Sequence, residues 1–145
     1  LSPVTAAGTL TASTIGTDHP QIGDSIIDGA QSVNRYWTLT PGGLLAFTNA
    51  TLTFNYIGGS PVDLDSGVTP ADFIVQRYGI TSGSCATGSG AWNNTTISGT
   101  PTSTEASATG VSTFGTICSQ FAIGTSTVRA FSREREWVYQ RELYY

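Results

Sequence analysis

The chain has 145 residues, a formal net charge of −4, only 11% charged residues and no lysine. This length is sufficient for one domain with its own hydrophobic core. A lysine-free, acidic domain offers no basic surface, so no nucleic-acid partner is expected. The longest apolar runs, such as LLAF, are far shorter than the ~18 residues that a membrane-spanning helix needs, so no membrane span is expected.

Strand patterns separated by turn residues recur up to Gly124, and no stretch before it shows the apolar period of a helix. A long connection is predicted over 16–32, a turn at 41–43 and loops over 58–70 and 81–90. The predicted strands are 4–14, 33–40, 44–57, 71–80, 91–97, two weak strands within 98–115, and 119–124. Short strands of this kind predict an all-β fold, an antiparallel β-sandwich with immunoglobulin-like or jelly-roll topology.

Aromatic residues in these strands are the expected core. Trp37 alternates in phase with Val33 and Leu39, Phe54 shares a face with Leu52 and Tyr56, and Phe73 is in phase with Val75. Large aromatic side chains bury the most apolar area in a domain of this size. We therefore predict Trp37, Phe54 and Phe73 as core residues.

Cys85 lies in a Gly-rich loop and Cys118 at the start of a late strand. The chain's single histidine, His19, cannot complete a zinc site with them. We predict a Cys85–Cys118 disulfide that closes a loop of about 34 residues, and such a bond indicates an oxidising compartment. The predicted location is therefore secreted, at the cell surface.

Carboxylates cluster at Asp63, Asp65 and Asp72, a density of oxygen ligands that Ca²⁺ could use. Their spacing does not complete an EF-hand loop, and aspartates that bond to backbone N–H groups in turns are the commoner explanation. No nucleophile motif, HExxH pair or phosphate loop is present. We predict no metal, no cofactor and no enzyme activity, with calcium as a weak alternative.

Trp92 stands beside Asn93 and Asn94 near predicted loops. An exposed aromatic ring there would offer a stacking surface for sugar rings, although most strand aromatics are core residues. Trp92 is therefore the candidate ligand aromatic, with surface polysaccharide as the alternative partner.

Several segments, in this order, resemble a β-sandwich module of large secreted and surface proteins of environmental bacteria. They are Asp18 to Ile22 (DHPQI), Val33 to Thr40 (VNRYWTLT), Ala50 to Tyr56, Asp63 to Gly67, Phe73 to Tyr78, Trp92, Thr109 to Phe114 and Phe121 to Gly124. The resemblance covers about residues 9–124 and implies a secreted, adhesin-like module of structural or interaction type without enzymatic activity. The cysteine pair and the residues after Gly124 depart from that pattern.

The chain after Gly124 differs in composition, with four arginines, three glutamates and five aromatic residues. The domain is therefore predicted over 1–124 and a tail over 125–145. At period two, every arginine from residue 131 onward shares a face with aromatic residues, and every glutamate lies on the other face, as expected for an extended strand. A helix is the rival interpretation, since the segment is rich in helix formers. The predicted assembly strand comprises Phe131, Arg133, Arg135, Trp137, Tyr139, Arg141, Leu143 and Tyr145.

An extended strand with an aromatic face must pair with something. It can close its own sandwich or complete the sheet of a neighbouring copy, and head-to-tail repetition of the second arrangement gives a filament. The sequence favours the second arrangement because the composition changes where the module-like region ends. The predicted function is an extracellular structural or adhesive module that self-assembles into a pilus-like fibre or tandem array, with a carbohydrate-binding or calcium-dependent adhesion module as the alternative.

Overall fold

The computed structural model describes residues 1–59 and 62–128. These residues form eight strands and two single-turn 3₁₀ helices, at Ile22–Asp24 and Pro70–Asp72. The strands are β1 (Ser2–Ile15), β2 (Ile27–Ser32), β3 (Tyr36–Asn55), β4 (Phe73–Ser82), β5 (Ser89–Asn94), β6 (Thr96–Ile97), β7 (Glu105–Val111) and β8 (Cys118–Ser126).

All strand pairs are antiparallel, and the strand order is β5-β4-β8-β3-β7-β6, with β1 added to β3 and β2 added to β8. Residues 37–39 of β3 pair with β1 on one edge and with β8 on the other, so β1 lies outside β3 at this end of the sheet. The sheet curls into a nearly closed, barrel-like sandwich. The predicted all-β antiparallel fold is confirmed.

The main core lies between the two layers of this sandwich. Phe54 and Phe73 are buried there, at 3% and 2% exposure. Trp37 is only partly buried; it packs against the core with its ring 5.0 Å from that of Phe54. The remaining large buried side chains of this cluster are Val33, Leu39, Tyr56, Val75, Val111, Phe114, Phe121 and Ile123.

The turn predicted at 41–43 is wrong, because β3 continues through Pro41, Gly42 and Gly43 without reversing. The pairing with β1 keeps this stretch within the strand although Gly43 has a φ of +70°, and register shifts between Val4 and Gly8 accommodate the irregularity. Glycine is needed at the close approach: a side chain at Gly8 would place its Cβ 2.5 Å from the carbonyl oxygen of Gly42. The Pro-Gly-Gly signal therefore marks a bulged, bent strand pair.

Two other segments also differ from the predicted pattern. The connection over 16–32 contains β2, and the region 98–115 holds one described strand, β7, with Gly110 inside it at φ +80°.

At the end of the described chain, β8 continues past Gly124 to Ser126, and the backbone N–H of Thr127 donates to the carbonyl of Ile26 at 2.7 Å. The predicted assembly strand, from residue 131 onward, lies outside the described residues.

Candidate functional site

A network of polar side chains joins three distant stretches of the chain. Asp65 accepts hydrogen bonds from the side-chain amide of Asn34 and from the backbone N–H of Ser32, both at 2.8 Å. The hydroxyl of Ser32 donates to the carboxylate of Asp18 at 2.8 Å. The connection before β2, the end of β2 with the residues that follow it, and the loop before β4 are thereby tied together.

Arg35 and Asp63 form a two-point ion pair beside this network. Nε of Arg35 donates to Oδ2 of Asp63 at 2.8 Å, and Nη2 donates to Oδ1 at 3.1 Å. The backbone N–H of Ile57 also donates to Oδ2, at 2.8 Å. The hydrogen bonds from Arg35 lower the pKa of Asp63 below its ordinary value, so this nearly buried carboxylate stays ionised at neutral pH.

These contacts account for two of the three carboxylates of the weak calcium prediction. Asp63 is held by Arg35, Asp65 by Asn34 and Ser32, and Asp72 ends the second 3₁₀ helix. Within residues 1–59 and 62–128, no group of three or more His, Cys, Asp or Glu side chains is arranged to hold a metal ion. Asp63 and Asp65 therefore act as acceptors for the protein's own donors.

His19 is 1% exposed on the outer face of the sheet, surrounded by the rings of Tyr36, Tyr78 and Trp92 at centroid distances of 5.1, 5.0 and 4.8 Å. Its Nδ1 accepts the backbone N–H of Gln21, so Nε2 carries the proton and donates to Oε1 of Gln120 at 2.8 Å. Burial lowers the pKa of His19. The neutral imidazole is thus a packing and hydrogen-bonding element of a second small core.

Trp92, the candidate for stacking on sugars, belongs to this cluster. Its indole N–H donates to the carbonyl of Gln21 at 2.9 Å, and its ring lies 5.1 Å from that of Tyr78. The side chain is half-buried. Trp92 is thus part of a packed aromatic cluster, and a polysaccharide partner stays a prediction.

The predicted disulfide is confirmed: Cys85 and Cys118 are bonded, with 5.9 Å between their Cα atoms. The bond attaches the loop after β4 to the first residue of β8, which is completely buried. The carbonyl of Cys85 accepts a hydrogen bond from the side-chain amide of Gln120 at 3.0 Å. The disulfide therefore also supports the surroundings of His19.

A small open cleft of about 170 Å³ lies beside Arg77, lined mainly by polar groups of residues 93–95 and 110–112. The guanidinium of Arg77 donates to the carbonyl of Thr113, and burial lowers its pKa. One arginine in a shallow cleft does not define a ligand. This cleft carries no functional assignment here.

The most unusual surface of the described fold is the strand β1. Its 14 residues are all exposed except Ala6, which is half-buried, and among the described residues it pairs only with β3. Val4 and Leu10 are 52% and 37% exposed, and neither β1 nor β3 contains a charged residue. Natural edge strands are usually protected by charges, prolines, shortness or a covering element. β1 is long and uncharged, and its only proline is Pro3 near its start, so this edge is suited to pairing with a further strand.

Comparison of the chain with protein-family models, curated proteins and solved structures finds no significant match. In the described part of the chain, the two helices are single turns, and neither is long and apolar enough to cross a membrane.

The sequence motifs located the polar residues but did not indicate what they do. Asp18, Asn34, Arg35, Asp63 and Asp65 all belong to the segments that resemble the secreted module, and the fold brings them into one region. The pairing of His19 with Gln120 was missed, because nothing in the sequence connects two polar residues 101 positions apart. The exposure of β1 was missed as well, although the absence of charge along its length was a visible signal.

Proposed function

We propose that this protein is an extracellular, non-enzymatic structural module that self-assembles by adding an extended segment of one copy to the sheet of another. The observation that carries the proposal is the long, uncharged and exposed strand β1 at the rim of an antiparallel sheet. Backbone N–H and C=O groups along such an edge can pair with an incoming strand, and alternate side chains then set its register. Head-to-tail addition produces a fibre.

The confirmed disulfide supports a location outside the cytosol, because disulfides persist in oxidising compartments. The described polar clusters support a structural role. His19 and the carboxylates Asp63 and Asp65 are satisfied by protein partners, and no buried side-chain N or O atom of the described residues lacks a hydrogen bond. A reactive site commonly leaves such groups available to a substrate.

The segment that would be added is the predicted assembly strand after residue 128. If this segment is extended, its alternation puts Phe131, Trp137 and Tyr139 on one face together with the arginines. The proposal treats the protein as an adhesin-like or pilus-like subunit whose main partner is a second copy of itself.

The test compares the intact chain with a chain ending at Val128, by light scattering and negative-stain microscopy. The cut is placed there because Thr127 still hydrogen-bonds to Ile26. Fibres from the intact chain alone would support the proposal. If both chains are monomeric and the shorter one is merely less stable, the segment is instead the last strand of its own domain.

A further inference from the structure

We propose that the free edge of β1 accepts residues 129–145 of a second copy, with the aromatic face of that segment on the side of β1 that faces the core. This inference rests on the proposed function and specifies the surface and the face through which two copies meet. It also assigns a role to a strand that contributes almost no side-chain burial to its own domain.

Length distinguishes β1 from β5 and β6, the short strands at the two ends of the strand order. β1 has 14 residues, whereas β5 has six and β6 has two. The seventeen residues from 129 to 145 can therefore pair along nearly all of β1 but would extend far beyond either of the others. More paired residues give more backbone hydrogen bonds across the junction.

The core-facing side of β1 is an uncovered apolar surface. Val4 and Ala12 lie directly across from Phe47 and Leu39, which pack in or against the main core. Directly opposed residues of an antiparallel pair share a face, so Val4, Leu10 and Ala12 point to the core side, yet all three are exposed. An added strand with Phe131, Trp137 and Tyr139 on this side would cover the apolar surface that β1 leaves open. Arg133, Arg135 and Arg141 share that face, and their long side chains would carry the charged ends to its solvent-exposed rim.

Charge also favours the association of the two parts. Residues 1–128 contain two arginines and seven acidic residues, a net charge of −5, whereas residues 129–145 contain four arginines and three glutamates, a net charge of +1. Opposite net charges promote encounter without specifying register. The uncharged edge of β1 then presents no like charge to the incoming arginines.

The route of the chain favours a second copy over the same copy. Thr127 donates to the carbonyl of Ile26 through its backbone N–H at 2.7 Å and its hydroxyl at 3.1 Å, which holds the end of the described chain beside β2. β8 and β1 lie on opposite edges of β3. To pair with the outer edge of its own β1, the segment would have to pass β3, which lies between β8 and β1, whereas the segment of a second copy could approach that edge from outside.

Two variants of the 145-residue chain test the inference by complementation. Leu10→Lys/Ala12→Lys places charge on the core-facing side of β1 and blocks the acceptor, while the donor segment stays intact. Trp137→Lys/Tyr139→Lys blocks the aromatic face of the donor, while β1 stays intact. The matched control is Thr11→Lys/Ser13→Lys, which adds the same charge to exposed positions on the opposite face of β1. Thermal melting checks that each variant is folded.

Light scattering coupled to size exclusion gives the readout. We expect fibres from the parent and the control, monomers from each blocked variant alone, and a species of twice the monomer mass when the two blocked variants are mixed. Fibres from Leu10→Lys/Ala12→Lys would overturn β1 as the acceptor and leave the proposed function standing. A mixture that stays monomeric would overturn the second copy as the donor. A monomeric control would overturn the choice of face, and a monomeric parent would remove the proposed function itself.

Discussion

His19 and Gln120, 101 residues apart in the chain, meet through a 2.8 Å hydrogen bond on the outer face of the sheet. The side-chain amide of Gln120 also donates to the hydroxyl of Thr38 and to the carbonyl of Cys85, which fixes its oxygen toward His19. With the backbone N–H of Gln21 directed at Nδ1, a second proton on the imidazole would face a donor. The fold therefore favours the neutral form of this histidine.

The first prediction concerns stability between about pH 7 and pH 5.5. Because the pKa of His19 is lowered in the folded state, the unfolded chain takes up a proton first as the pH falls below about 6.5. The free energy of unfolding should therefore decrease across this window. His19 is the only histidine, so His19→Gln should be less stable overall but should lose this slope. Urea denaturation at a series of pH values measures the dependence of the unfolding free energy on pH. An equal slope in the parent and in His19→Gln would contradict the assignment of this dependence to His19.

The second prediction concerns the ion pair of Arg35 and Asp63. Arg35→Met leaves a carboxylate that is 8% exposed without its partner, which should cost on the order of 3 kcal/mol of unfolding free energy. Arg35→Met/Asp63→Asn should recover part of that loss, because the asparagine oxygen can still accept the N–H of Ile57. Denaturant midpoints of the two variants test this. A double variant no more stable than the single one would show that the charge is not the source of the cost.

The same ion pair predicts a loss of stability in acid. The pKa of Asp63 is lowered in the folded state, so its contribution is complete above the ordinary aspartate value of 3.8 and is lost as the pH falls through the folded value. In Arg35→Met/Asp63→Asn this part of the acid sensitivity should disappear. Unfolding curves at pH 5 and below, compared between parent and variant, provide the measurement.

The third prediction concerns the disulfide between Cys85 and Cys118. Replacing both residues with serine should lower the unfolding free energy by about 2–4 kcal/mol, because a closure spanning 33 residues no longer restricts the unfolded chain. The denatured, unreduced parent should show no thiol that reacts with an alkylating agent in mass spectrometry. Two alkylated cysteines would contradict the bond.

The fourth prediction concerns the packing of β1 on β3. Gly8→Val would place Cβ 2.5 Å from backbone atoms of Gly42 and Leu45, so β1 should lose its pairing near the bulge. Since β1 buries almost no side chain, the core should stay folded. Hydrogen exchange should show lost protection in residues 2–15 with protection retained in β4 and β8. Gly59→Ala is the control, because its Cβ would meet nothing within 4 Å.

The sequence by itself determined the class of fold, the disulfide and most strand positions. Period-two alternation records which side of a strand is buried, so Phe54 and Phe73 could be recognised as core residues before any tertiary contact was known. Because two cysteines and a single histidine are too few for a zinc site, a disulfide between the cysteines was the simplest prediction.

Only the tertiary structure decided which strands meet and which edges stay open. The Pro-Gly-Gly stretch carries a local turn signal, but β3 stays paired with β1 through it, with Gly43 at a φ of +70°. That competition between local and long-range bonds is not visible in the sequence. The joining of Asp65 to Asn34 and of His19 to Gln120 likewise depends on strand order, which determines distances between residues far apart in the chain. The edge of β1 that no other described strand covers has the same origin, because a strand's pattern predicts its faces, whereas its edges depend on the neighbours that the fold supplies.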